Sequence, residues 1–284
     1  MQNFNLHQHT YRCGHAEMDA TDEDYIKDYL KIGIKKVAFT DHAPEKNPID
    51  KRPKIRMDYS DRLEYLDSIK ILKEKYKNKI DILSGYEIEY LPGEEENLKE
   101  LKNETDILIL GQHFVYADNN KDLNIIGWGH SNSDDDIIKY GEYVKSAIEK
   151  GLTDIIAHPD LFMLGRKSFE NLEEEVTRNI CVSAEKYNIP LEINLNNIFV
   201  NTFYNIKTKE LSNDSIEKHY SKLNIVSYPC KSFWKIVSEY NIKVLYGLDT
   251  HRRVAITYLE DLIKFANFII GDEIINKLQF IDTV

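Results

Sequence analysis

Apolar residues recur along the chain in short runs, each followed by a longer stretch with helical spacing. The runs predict strands over residues 4–9, 36–41, 80–87, 106–112, 154–158, 190–195 and 243–249. Several are almost continuously apolar, as in Ile107-Leu108-Ile109-Leu110 and Val37-Ala38-Phe39, which suits strands covered on both faces of a parallel sheet. Between them the spacing predicts helices over 21–33, 59–77, 94–102, 134–151, 169–188, 232–240 and 255–269. The first opens on Thr21, a good N-cap, and closes on Gly33. Strict β-α alternation means a parallel α/β sheet. No glycine-rich phosphate loop follows the first strand, which argues against an open nucleotide-binding sheet. Seven strands with chemically active residues at their C-terminal ends favour a barrel. Residues 118–136 read as a surface loop and 196–228 as an insertion near the barrel mouth. No linker or repeat divides the chain, so residues 1–284 read as a single domain.

Composition narrows the class. Hydrophobic residues make up 42% and charged residues 30%, the balance of a soluble protein with a substantial core. No run of about 18 apolar residues occurs, so no membrane span is expected. The first residues lack the basic-then-apolar order of a secretory leader. Cys13, Cys181 and Cys230 are too widely separated for a disulfide framework or a paired zinc knuckle, which fits a reducing cytoplasm. A formal net charge of −11 argues against general nucleic-acid binding. It leaves room for a small phosphorylated substrate, because bound divalent cations and a few arginines can invert the local field.

The candidate chemistry lies at the strand ends. Seven of the nine histidines sit there: His7-Gln8-His9, His15, Thr40-Asp41-His42, Gly111-Gln112-His113, His158-Pro159-Asp160 and Asp249-Thr250-His251. Gly85-Tyr86-Glu87 ends another strand. Neutral imidazole and carboxylate are ligands that divalent transition metals prefer. His7 and His9 are two apart on a strand, so both side chains point the same way, and Asp249 and His251 share that spacing. Glu89 follows Glu87 with the same spacing, so either acid suits the role of ligand. Taken singly, each residue has an ordinary reading. His15 suits a solvated loop, His42 a turn cap, and His113 and His158 a core where they bond backbone carbonyls. Six separate strand ends carrying a histidine or acid by accident is not a tenable account, and jointly they indicate a multinuclear metallohydrolase. Cys13 reads as a packed small residue, and His130 and His219 as solvated. Residues 199–204, rich in aromatic groups, either line a substrate pocket or pin the insertion.

These motifs, in this order between residues 7 and 251, resemble the successive motifs of the polymerase-and-histidinol-phosphatase (PHP) family. The layout, with Arg56-Met57 before a long helix and Ile82-Leu83-Ser84-Gly85-Tyr86-Glu87 after it, is similar to the stand-alone histidinol-phosphatase branch. The resemblance implies a distorted (β/α)7 barrel with its site at the C-terminal ends of the strands. It implies three divalent metal ions (zinc, manganese or iron). The first would take His7, His9, Glu87 and Asp249; the second would share Glu87 and add His113 and His158; the third would take His15, His42 and His251.

The implied reaction is hydrolysis of a small phosphomonoester, L-histidinol phosphate of histidine biosynthesis. A metal lowers the pKa of bound water from about 15.7 to about 7, and a hydroxide bridging the Glu87-linked ions would attack phosphorus while the third ion clamps the phosphate. Asp160 would protonate the leaving alkoxide or orient a ligand histidine. Arg166 is a candidate phosphate contact, with Arg12, Arg252 and Arg253 also flanking ligand positions. Gln112 stands where the family commonly has a small or apolar residue, a departure that bears on the substrate.

The alternative is another PHP-type phosphoesterase acting on nucleotides, phosphodiesters or phosphotyrosine. An amidohydrolase-type deaminase also begins with H-x-H and ends with a strand-end Asp. Asp41-His42, Asp249-Thr250-His251 and the lack of a lysine for a carbamylated bridge count against it. A non-enzymatic metal-binding protein is a third class.

Overall fold

The computed structural model describes residues 2–46, 55–117, 122–127, 130–201 and 228–281. Its strands are β1 (Phe4–Asn5), β2 (Lys36–Phe39), β3 (Asp81–Ile88), β4 (Ile107–Leu110), β5 (Phe114–Tyr116), β6 (Leu123–Ile125), β7 (Ile155–Ile156), β8 (Leu191–Asn194), β9 (Lys243–Gly247) and β10 (Gln279–Phe280). The helices are α1 (Asp22–Lys31), α2 (Arg62–Tyr76), α3 (Glu95–Glu104), α4 (Asp134–Glu149), α5 (Asn171–Tyr187), α6 (Asn196–Asn201), α7 (Lys231–Val237), α8 (Leu259–Ile270) and α9 (Asp272–Ile275).

Eight strands form one curled parallel sheet in the order β1-β2-β3-β4-β7-β8-β9-β10. The seven strands expected from the apolar runs are all present. β9 pairs with β8 on one edge. Its other edge carries β10 at its start, with Gln279 opposite Lys243. Beyond Gly247 that edge meets the chain that follows β1: Asp249 N–H donates to His7 O at 3.0 Å and His9 N–H donates to Thr250 O at 3.2 Å. The sheet thus closes at its C-terminal side, as a distorted barrel does.

Two additions escaped the periodicity. β10 is two residues long, too short to leave an alternating signal. β5 and β6 form an antiparallel hairpin, with Val115 opposite Asn124, where a surface loop was expected from residue 118 onward. The insertion expected over 196–228 begins as α6, and most of the rest lies outside the described residues, as do Trp128, His219 and residues 202–204 of the aromatic stretch.

Alternation divides the apolar side chains into two layers. Phe4, Leu6, Ala38, Ile107, Ile109, Ile155, Ala157 and Leu245 form a small inner cluster, joined by Leu83. Their strand neighbours, such as Val37, Phe39, Leu108, Leu110, Ile156, Leu191, Ile193 and Val244, belong to the larger layer under the helices. Buried tyrosines tie helices to strand ends. Tyr65 Oη donates to the carbonyls of Phe39 (2.8 Å) and Gly85 (2.9 Å), and Tyr140 Oη donates to Pro159 O at 3.0 Å. Thr21 caps α1 as expected, in a reciprocal pair with Asp24. Among the described residues no helix is long and apolar enough to cross a membrane.

Candidate metal centre

Strand parity delivers most of the site. On β2 the inward positions run from Ala38 through Thr40 to His42. On β3 they run through Leu83 and Gly85 to Glu87 and Glu89. Beyond β4 they continue from Ile109 through Gly111 to His113, and beyond β9 from Leu245 through Gly247 to Asp249. Two strands depart from this pattern. The ladder of β1 stops at Asn5 and resumes as a single bridge between Gln8 and Thr250, and across this break the inward face passes from Phe4 and Leu6 to His7 and His9. On β7, Ile155 and Ala157 face inward, so plain alternation would send His158 outward. Its backbone instead adopts φ +32°, and its Nε2 lies 2.8 Å from Glu87 Oε1. Asp249 also has positive φ, +45°. Left-handed backbone at a non-glycine residue costs about 1–3 kcal/mol and concentrates at functional sites.

Glu87 is the hub. Its Oε1 lies 2.8 Å from His158 Nε2 and 3.6 Å from both His7 Nε2 and His113 Nε2. Its Oε2 lies 2.9 Å from His42 Nδ1 and 3.3 Å from His9 Nε2. Asp249 Oδ1 sits 3.1 Å from His9 Nε2 and 3.4 Å from His7 Nε2. Donor atoms of His7, His9 and Asp249 lie within 4.8 Å of one another, as do those of His7, Glu87 and His158, of His9, His42 and Glu87, and of His15, His42 and His251. The nine residues expected from the strand-end motifs are therefore gathered at one place.

The donor set fits cations better than internal hydrogen bonding. His251 Nε2 and Glu87 Oε2 are buried without a hydrogen-bond partner, although imidazoles surround both. Native proteins rarely leave such atoms unsatisfied, and a cation is what these donors jointly lack. Three Nδ1 atoms are oriented from behind: that of His113 by Glu89 Oε1 at 2.7 Å, that of His15 by Cys13 O at 2.9 Å, and that of His251 by Asp249 O at 3.1 Å, while those of His9 and His158 are buried without a partner. Of the two acids on β3, Glu87 faces the cluster. Glu89 backs His113, also accepting its backbone N–H at 2.7 Å.

Burial and charge pull against each other here. Burial would raise the Glu87 carboxyl, but the facing His42, His113 and His7 outweigh it and hold it well below the usual carboxylate range. Asp249 is held low in the same way by His7 and His9. Burial pushes His42 and His251 well below the usual imidazole value and lowers His15 as well. His9 resists burial through Asp249 and Glu87 and is raised to about 9.

The remaining candidates lie apart from the donor set. Asp160 Oδ2 accepts Cys230 N–H at 2.6 Å and Trp234 Nε1–H at 3.0 Å, and burial pushes its carboxyl up to about 7. It ties the start of α7 to the end of β7. Arg166 pairs with Glu173 (2.6 Å) and Asp134 (2.7 Å) and donates to Asn132 O (3.1 Å), and it is not among the residues lining the cleft. Arg12 pairs with Asp22 and Arg253 with Asp28, while Arg252 and His130 are exposed. Gln112 points away from the cluster and bridges the Tyr90 backbone, so the departure at this position does not touch the cleft. Cys13 is buried with its sulfur within 4.8 Å of His9 and His251 donor atoms.

Strand-end reading missed Glu192, which lies inside β8, and Asn194, its last residue. Glu192 Oε2 is 2.9 Å from His7 Nδ1. The available signal was a lone acid between Leu191 and Ile193 in an otherwise apolar strand.

The cleft over the cluster is lined by Ile55, Phe114, Ile125 and Asn196 together with Glu89, Asp249 and histidines. No lysine or arginine lines it among the described residues.

A family model described as the PHP domain matches residues 5–196. Over 169 residues, 55% of this chain, the sequence is 27% identical to the "Probable histidinol-phosphatase" of Deinococcus radiodurans, and the match spans 59% of that protein's length. Among solved structures, a candidate histidinol phosphatase of Listeria monocytogenes superposes with a TM-score of 0.71 at 22% identity, over 90% of this chain and 99% of its own. The histidinol phosphate phosphatase of Lactococcus lactis subsp. lactis, complexed with zinc, L-histidinol and phosphate, gives 0.61 at 16% identity over 93% of this chain and 94% of its own. At these identities the structures speak for the fold. The curled parallel sheet, the motif order and a family match covering most of the chain agree: the protein belongs to the PHP-domain family.

Proposed function

We propose that this chain is a metal-dependent phosphomonoesterase whose substrate is L-histidinol phosphate. The observation that carries the reading is the convergence of nine imidazole and carboxylate residues, with Glu87 as their hub. The named relative and the Lactococcus lactis complex support the choice of substrate.

His7, His9, Asp249 and Glu87 would hold one cation, Glu87 with His113 and His158 a second, and His15, His42 and His251 a third. Zinc, manganese and iron all suit such donors. When bound, these cations would neutralise a phosphate dianion and acidify water toward neutral pH. The chain's own contribution is placement. Glu87 Oε1 faces His158 and Oε2 faces His9, which suits a ligand shared by the first two cations. With no lysine or arginine lining the cleft among the described residues, the phosphate charge is left to the cations. Ile55, Phe114 and Ile125 offer an apolar wall to the organic part of a substrate, and Glu89 brings an acid to the same lining, on the side where an amine would sit. A small amino-bearing alcohol as leaving group fits both.

The test is to count metals in the purified protein and assay phosphate release from histidinol phosphate, nucleoside monophosphates, an aryl phosphate and a diester analogue. A strong preference for histidinol phosphate is expected. Activity on the diester alone would move the assignment to a phosphodiesterase, and bound metal without turnover of any ester would make the protein a metal binder.

A further inference from the structure

Resting on the metal reading above, we propose that Glu192 and Asn194 are positioning residues that hold His7 and Asp249 ready for one cation. Both lie on β8 and point into the barrel, interleaved with the outward Leu191 and Ile193. The Glu192 carboxylate meets His7 Nδ1 through Oε2 at 2.9 Å and Oε1 at 3.2 Å. A carboxylate only accepts, so a neutral His7 keeps its proton on Nδ1 and presents the lone pair of Nε2 to the cluster. That Nε2 lies 3.1 Å from His9 Nε2 and 3.4 Å from Asp249 Oδ1.

Asn194 couples the two ligands. Its Nδ2 donates to Glu192 Oε1 at 2.7 Å and to Asp249 Oδ2 at 3.1 Å. One amide thus spans the acid behind His7 and the acid beside it, and leaves Asp249 Oδ1 turned toward His7 and His9. The neighbouring strand makes room for this arrangement. A β-carbon at Gly247 would lie 2.7 Å from Glu192 Cγ and closer still to its carboxylate, so β9 is bare at the point where Glu192 needs space.

The test titrates Zn²⁺ against a chelator of known affinity into metal-free wild type, Glu192→Gln and Asn194→Ala, with thermal unfolding of each metal-free protein. Glutamine keeps the shape but can donate as well as accept, so it admits the His7 tautomer whose proton blocks Nε2. Glu192→Gln is expected to bind Zn²⁺ about 10–100-fold more weakly, to melt near wild type when metal-free, and to recover turnover at saturating Zn²⁺. Asn194→Ala should show a smaller loss in the same direction, and it decides the matter should Glu192→Gln fail to fold. Wild-type Zn²⁺ affinity in the variants that fold overturns the positioning role and leaves the metal centre standing. A wild-type protein that takes up no Zn²⁺ overturns the metal reading itself, and the positioning role with it.

Discussion

Gly111 faces Glu87 so closely that a β-carbon at Gly111 would lie 2.7 Å from Glu87 Cγ, and nearer still to its carboxylate, where real β-carbons essentially never come within 3.0 Å. Gly111→Ala must therefore displace the acid or shift the backbone. Overpacking of this kind costs about 1–3 kcal/mol, and a displaced Glu87 should weaken metal retention by roughly 10-fold or more. Metal content after dialysis and the melting temperature report both. Full metal content with normal turnover would mean that Glu87 need not sit where it does.

Glu87→Gln keeps the side-chain volume and removes the charge. The two oxygens now face different histidines at 2.8 Å and 2.9 Å, whereas an amide would offer one acceptor and turn an NH₂ toward the other set. Turnover should fall on the order of 10²–10³-fold, with the circular dichroism spectrum unchanged. Near-normal turnover at full metal loading would remove Glu87 from its shared position.

Stripping the metals should lower the melting temperature. A cation present at a hundred times its Kd stabilises the folded state by about 2.7 kcal/mol, which corresponds to roughly 5 °C in a chain of this size. The backbone at His158 and Asp249 is held at positive φ, and metal-ligand bonds would help to hold it there. Scans with chelator, and with chelator followed by Zn²⁺, check this. Identical curves would argue that no cation supports the fold.

Arg166→Ala should cost stability and spare catalysis. Its guanidinium pairs with Glu173, whose side chain is only 2% exposed, and its loss leaves that acid buried without its partner. Such a loss costs about 1–3 kcal/mol. Thermal unfolding should register it while kcat/KM stays within about 3-fold of wild type, a difference under 1 kcal/mol. A large fall in kcat/KM at unchanged melting temperature would return Arg166 to the substrate.

Most of the barrel was legible because a strand covered on both faces reads as an apolar run, and seven of these occur. The site was legible for a related reason. Once the strands are parallel, their C-terminal ends share one rim, and His42, His113 and Asp249 follow from parity alone, as does the pair Glu87 and Glu89, between which only the structure chooses. His158 does not, because its inward aim depends on a positive φ that no residue pattern announces. Glu192 escaped because attention to strand ends overlooks an acid within a strand, and Asn194, the last residue of β8, because a search for imidazole and carboxylate passes over an amide. Arg166 was read from its distance along the chain to His158, but the nearby acids Asp134 and Glu173 hold it. The β5–β6 hairpin and β10 are three and two residues per strand, below the length at which alternation can be told from chance.

The seam at Gln8 and Thr250 also governs timing. A ribosome that has released the chain only as far as β8 has already delivered His7, His9, Glu87, His113 and His158, yet neither Asp249 nor His251 exists to meet them. Contacts that join residues so far apart in sequence form late and slowly. The cell thus makes a half-built pocket of cation-seeking side chains first, and β9 with the residues just after it both shuts the barrel and completes the pocket.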